Sequence, residues 1–233
     1  MSGQHRGGRV SAWRSAPLLL VALAIGGWVF WDGQRMIRAD AHSLGARKQI
    51  VGWASGESQP ASAAEWDEVR DAMLAALDIT PDNAALQEQM GDLYVVAGRR
   101  DWADEALRLR HFGQAEAYYR KALALRPTDP QTWASLAVAY QGLGQTGAPL
   151  HQAWAKALAL GPNEGHVQPM LLETALATWA ASSNEMKSWV IRFHDNGSLT
   201  QRKAISEIAL RYGLQFQAQP AAAPVASAST STR

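Results

Sequence analysis

The chain has 233 residues, 22 basic and 21 acidic, for a formal net charge of +1, so there is neither a basic field for nucleic acid nor an acidic one for a basic partner. Apolar residues make up 47%, enough for a packed core and too many for a wholly disordered chain. The lack of cysteine excludes disulfides, thiolate zinc sites, a cysteine nucleophile and a lipoprotein anchor, and leaves the redox compartment open.

Residues 1–15 carry Arg6, Arg9 and Arg14, and residues 16–31 carry no charge. This pattern predicts a cytoplasmic tail over 1–15 and a transmembrane anchor over 16–31. Such a helix reaches only ~24 Å against ~30 Å of hydrocarbon. Extension back to Val10 lengthens it if Arg14 snorkels, and Trp13, Trp28 and Trp31 stand at interfacial positions. A cleaved signal peptide ending near Ala39-Asp40-Ala41 and a buried helix are the rival readings. The flanking arginines and end tryptophans favour the anchor. The clustered arginines hold the short N-terminal tail inside. The expectation is a single-pass protein of the bacterial inner membrane with the bulk of the chain in the periplasm. Residues 32–61 follow as a juxtamembrane helix, near 36–53, and a loop.

Three copies of the pattern Ala-Leu-x-(Ile/Leu)-x-Pro begin at Ala76, Ala122 and Ala157, at intervals of 46 and 35 residues. Alanine lets two helices approach closely and leucine fills their seam. Proline has no N–H and disfavours helix just before it, so it ends one helix and opens the next. Trp133, Leu136, Ala137 and Tyr140 fit W-x2-L-G-x2-Y with Ala for Gly, and Leu86, Met90, Gly91 and Tyr94 fit it less well. Ala115, Tyr119 and Ala122 fit A-x3-F-x2-A, and Trp154 takes the aromatic position before Ala157. On these residues the stretch 62–181 resembles a tetratricopeptide repeat (TPR) array. The resemblance implies an all-α solenoid of helical hairpins, here with an N-terminal transmembrane helix and a C-terminal helical cap.

Helices are predicted near 63–79, 83–97, 113–126, 131–143, 148–160 and 167–181. The last departs from consensus, because Gln168 stands where Trp is usual, and reads as a capping helix. The longer interval requires an insertion near 98–111, either an elongated helix pair or a partner-binding segment. Residues 182–213 predict a C-terminal helical pair. Its first helix starts at an Asn184 cap, Asp195-Asn196-Gly197 forms the turn, and Ile205, Ile208, Ala209 and Tyr212 stripe the second helix. Residues 214–233, nearly all Ala, Pro, Ser and Thr beyond Gln217, predict a disordered tail.

No histidine pair is spaced i, i+4 for a zinc-peptidase helix, and His194-Asp195 reads as a surface pair near a turn. The glycines of 142–147 lack the Lys-Ser/Thr of a phosphate loop and fall at an inter-helix turn. No catalytic residue, metal or cofactor is expected; Glu173 with His166 is the best pair an enzyme alternative can offer. The working surface is then the concave groove, which TPR proteins line mainly with the first helix of each repeat. Phasing on the prolines places Glu88, Asp92, Gln131, Ser135, Val138 and Gln141 there. This face is polar and acidic, without the Lys/Arg/Asn set that clamps a C-terminal carboxylate. It is either a solvated helix face or a seat for a peptide or partner helix. Trp66, Trp133, Trp154, Trp179 and Trp189 read as packing residues rather than a carbohydrate-stacking set.

A narrower resemblance rests on Leu160-Gly161-Pro162 with Val167-Gln168, on Trp179, on Ile208–Gly213, and on Trp66 through Pro81 and Asn83. These residues, in the order anchor, array, cap and tail, are similar to the VpsP-like polysaccharide biosynthesis family, although Asn163-Glu164-Gly165 departs from its usual Trp-Glu-Pro. The resemblance implies a non-enzymatic membrane-anchored scaffold for exopolysaccharide biosynthesis or export, with polymerase or export subunits as partners. Cytochrome c maturation, pilus biogenesis and cytoplasm-facing recruitment are the alternatives.

Overall fold

Each proline token ends a helix, and the described chain is a run of α-helices. The computed structural model describes residues 12–101 and 103–215, with backbone alone for residues 12–18. In chain order the helices are α1 (Ala12–Ser55), α2 (Ala63–Ile79), α3 (Ala84–Arg100), α4 (Glu105–Leu125), α5 (Pro130–Gly142), α6 (Ala148–Leu160), α7 (Val167–Ala177), α8 (Asn184–Asp195) and α9 (Leu199–Arg211). The helices pair as hairpins, α1 with α2, α3 with α4 and α5 with α6, while α7 covers the end of the array and meets α8 and α9. This is an all-α, TPR-like stack of hairpins. The expected tail over 214–233 lies, from residue 216 on, outside the described residues, as does the tail over 1–15 up to residue 11.

The three repeat junctions are built alike. Thr80, Arg126 and Gly161 each donate a backbone N–H to the token alanine, Ala76, Ala122 and Ala157, at 2.8–3.0 Å. Each token proline then offers its carbonyl to a side chain six residues on. Gln87 Nε2 donates to Pro81 O at 2.9 Å, Trp133 Nε1 to Pro127 O at 2.8 Å and Gln168 Nε2 to Pro162 O at 2.8 Å. Gln168 therefore makes the contact that the indole makes in the repeat before it. Asn83 and Asp129 accept from the first free N–H groups of α3 and α5, which satisfies donors no helical carbonyl can reach.

The first hairpin starts inside α1. Ala39, Ser43, Ala46, Ile50 and Trp53 are buried at alternating steps of four and three, one stripe of a helix, and the small members let α2 approach closely. Arg35 reaches across to the end of α2, donating from Nε and Nη2 to Ile79 O at 3.2 and 2.9 Å. A cation on the orphan carbonyls of a helix C-terminus is favourable.

The anchor expected over 16–31 is corrected here. No helix among the described residues is long and apolar enough to cross a membrane. The uncharged run of α1 over residues 16–31 gives about 24 Å of helix against ~30 Å of hydrocarbon. Asp32 follows at once, and Arg35 belongs to the end of α2. Leu19, Leu20, Leu23, Trp28 and Phe30 are nonetheless 61–71% exposed. The single-pass inner-membrane topology, the periplasmic placement, the membrane as partner and the membrane-anchored form of the scaffold fall with the anchor.

The long interval between the first two tokens is filled by helix: α3 and α4 have 17 and 21 residues, against 13 each in α5 and α6. Asp104 caps α4, accepting from Leu107 N at 2.9 Å. His111 packs on Trp66 and Tyr94, with centroids 5.8 and 6.0 Å away, and its Nε2 lies 3.1 Å from Asp101 Oδ2. Phe112 and Tyr119, 5% and 1% exposed, turn inward against glycines: a Cβ on Gly98 would come 2.8 Å from the Phe112 ring, and Gly142 faces the same ring. Gly91 gives the same clearance to Tyr119. Beyond the array, α7 ends at Ala177, because Thr178 Oγ1 and Ser182 Oγ bond back to the carbonyls of Thr174 and Ala175 at 2.8 and 3.0 Å. The N-cap of α8 is Ser183, with extended backbone and a bond from Met186 N, rather than the expected Asn184.

Substituting Gly91→Ala places a methyl inside the Tyr119 ring. Overpacking costs about 1–3 kcal/mol, against ~1 kcal/mol gained in helix propensity. The expected outcome is a lower urea midpoint than wild type. A higher midpoint would show that the glycine is not set by this contact.

Candidate groove between α3, α5 and α7

The first helices of successive hairpins run side by side and leave a cavity of about 520 Å³ between them. Five of the six predicted groove residues line it: Asp92 from α3, and Gln131, Ser135, Val138 and Gln141 from α5. Glu88 lies one turn before Asp92, outside the lining. The two helices repeat one spacing. Glu88, Asp92, Val95 and Arg99 follow on one face of α3, and Gln131, Ser135, Val138 and Gly142 take the same spacing on α5. From α7, Met170 and Glu173 complete the wall.

The floor comes from α4, where Tyr119 and Phe112 line the cavity, Phe112 beside Gly98 and Gly142. The Tyr119 hydroxyl donates to Asp92 Oδ1 at 2.8 Å. At the far end, Arg108 donates to the Gly142 carbonyl, satisfying an end group of α5. Arg99 is exposed and also lines the cavity. The Tyr212 hydroxyl, just past α9, donates to Glu173 Oε1 at 3.2 Å, so the C-terminal helices close one side of the groove.

The face expected to be acidic carries less charge than its composition implies. Burial pushes the Asp92 carboxyl up from 3.8 to about 6, although Tyr119 and Arg99 pull it down. Burial, then the nearby Asp92 and Asp129, push Glu88 from 4.5 to about 7. The Arg126 guanidinium, 3.2 Å from Glu88 Oε2, opposes that rise without overcoming it, because the Glu88 side chain is only 14% exposed and loses more hydration than one ion pair returns.

Sequence reasoning missed Arg99, Arg108, Tyr119 and Tyr212. Arg99 was legible, two helical turns from Asp92 on the same face. Tyr212 was not, since it arrives from a distant helix. The enzyme alternative does not assemble: His166 Nε2 lies 3.3 Å from Glu164, while Glu173 receives Tyr212. His194, expected at the surface, is 6% exposed. Its Nδ1 is 2.9 Å from Asp195 Oδ1 and its Nε2 3.5 Å from Ser206 Oγ. That row joins α8 to α9, and neither His194 nor Ser206 lines a cavity described above. Among the described residues no group of three or more His, Asp or Glu could hold a metal ion.

Residues 118–148 match the tetratricopeptide repeat family. The matched stretch runs from the last turns of α4 through α5 into α6, and includes the Pro127 junction. No curated protein matches the chain. The match is to the repeat alone, so the VpsP-like assignment, and with it the polysaccharide pathway and its polymerase or export partners, is corrected to the general one: a TPR-like helical module. Modules of this kind are typically non-catalytic scaffolds.

A carboxyl whose folded pKa is raised contributes stability that is fully present below its unfolded pKa and is lost as pH rises through the folded one. For Asp92 and Glu88 that window runs from about pH 4 to about pH 7. Replacing Asp92→Asn keeps the acceptor for Tyr119 and removes one titration. The urea midpoint of the variant, relative to wild type, is expected to rise between pH 4 and pH 7. A pH-independent difference would contradict the burial of this carboxyl.

Proposed function

We propose that the chain is a non-catalytic scaffold that holds a partner polypeptide in the groove between α3, α5 and α7. The observation that carries this reading is the shared lining of one cavity by the first helices: Asp92, Gln131, Ser135 and Gln141 with Val95 and Val138, above Tyr119 and Phe112. A mixed polar and apolar lining of this kind suits a segment lying along it, whether extended or helical. The cavity is within the range of binding clefts, and it opens on the side of the array made by the first helices. The match of residues 118–148 to a repeat found in scaffolds supports the same reading.

Proximity labelling inside the groove tests it. A photo-crosslinking phenylalanine at Val138, in the full chain expressed in its own host, is expected to trap a discrete protein adduct. The same group at the exposed Lys121 of α4 is expected to trap none. Adducts of equal yield at both positions, or none at Val138, would remove the groove from consideration.

A further inference from the structure

The charge along α3 changes sign within one cavity. Asp92 stands toward one end, Val95 follows, and Arg99 stands at the other end, exposed and on the cavity wall. Arg99, Asp92 and Tyr212 line the same cavity. The rest of the lining mixes apolar Val95, Val138, Met170 and Phe112 with neutral polar Ser135, Gln141 and Thr174, and its other carboxylate, Glu173, takes the Tyr212 hydroxyl. Two helical turns separate Asp92 from Arg99, about 10.5 Å along the axis. Three residues of an extended chain, at about 3.3 Å each, cover that length.

We infer that the partner segment is itself bipolar. It carries a Lys or Arg and an Asp or Glu three or four residues apart, with an apolar side chain between them. The cation meets Asp92, the carboxylate meets Arg99, and the apolar group meets Val95, Val138 and Met170. A segment with charges of one sign leaves one of its ends against a like charge, which selects against it. This inference rests on the groove reading above and adds the chemistry of the occupant.

Random dodecapeptides displayed on phage, selected on the full chain and then measured by fluorescence anisotropy, test both. The expected consensus is a cation and a carboxylate flanking an apolar residue at the stated spacing. Arg99→Glu, an exposed position that leaves the fold intact by circular dichroism, is expected to weaken the selected peptide about fivefold, the upper range for an exposed pair. Changing the peptide's Asp or Glu to Lys is expected to restore its binding to that variant. A consensus of one charge sign, or binding indifferent to Arg99→Glu, overturns the bipolar inference. It leaves the groove reading standing if Val138→Trp and Gln141→Trp, two independent blocks, both abolish binding. Peptides that bind both blocked variants as well as wild type, or failure to enrich any peptide, overturn the groove reading as well.

Discussion

The stack depends on one hydrogen bond made three times. A proline ends a helix because it cannot donate, but its carbonyl is left pointing at the start of the next one. When a side chain six residues on donates to that carbonyl, the turn is held from both sides. Each turn between one hairpin and the next thus carries a bond of 2.8–2.9 Å in addition to its packing. An indole or a primary amide serves equally, because the geometry asks only for an N–H at that reach. All else in the array, including the alignment of α3 with α5, inherits the direction set at these junctions.

The groove follows from a second constraint, the fit of large rings against glycines. Tyr119 and Phe112 sit under the first helices only because Gly91, Gly98 and Gly142 have no side chain to displace them. The rings then supply the floor, and one hydroxyl reaches a carboxyl on the wall. Removing water from that carboxyl is costly, and this cost raises its pKa although a donor lies 2.8 Å away. Packing density and electrostatics of the groove therefore share one origin.

Much of this was legible in the sequence, and for stated reasons. The tokens at Ala76, Ala122 and Ala157 carry local chemistry, so helix ends and hairpin phase could be read from them. Five groove residues followed from that phase. Gln168 looked like a departure from consensus because the pattern records the residue type usually found rather than the bond it makes. Tyr212, Glu173 and Arg108 reach the groove from elements whose placement depends on long-range packing, which periodicity does not encode. The start of the array was misread for a different reason. An apolar run beside arginines resembles an anchor in one dimension, whereas the contact of Arg35 with Ile79 and the buried stripe from Ala39 to Trp53 show that the helix has already joined the stack.

The continuity of α1 has a mechanical consequence. Its exposed apolar stretch and its buried stripe belong to one helix, with no loop between them to absorb a turn. Motion of the first is transmitted to the array as a rotation about a common axis. Each residue added or removed between Trp31 and Arg35 would swing the exposed stretch about 100° around that axis and shift it ~1.5 Å along it. The bearing of the groove relative to whatever meets Leu19–Trp31 is thus written in helical phase, like the setting of a crank on its shaft.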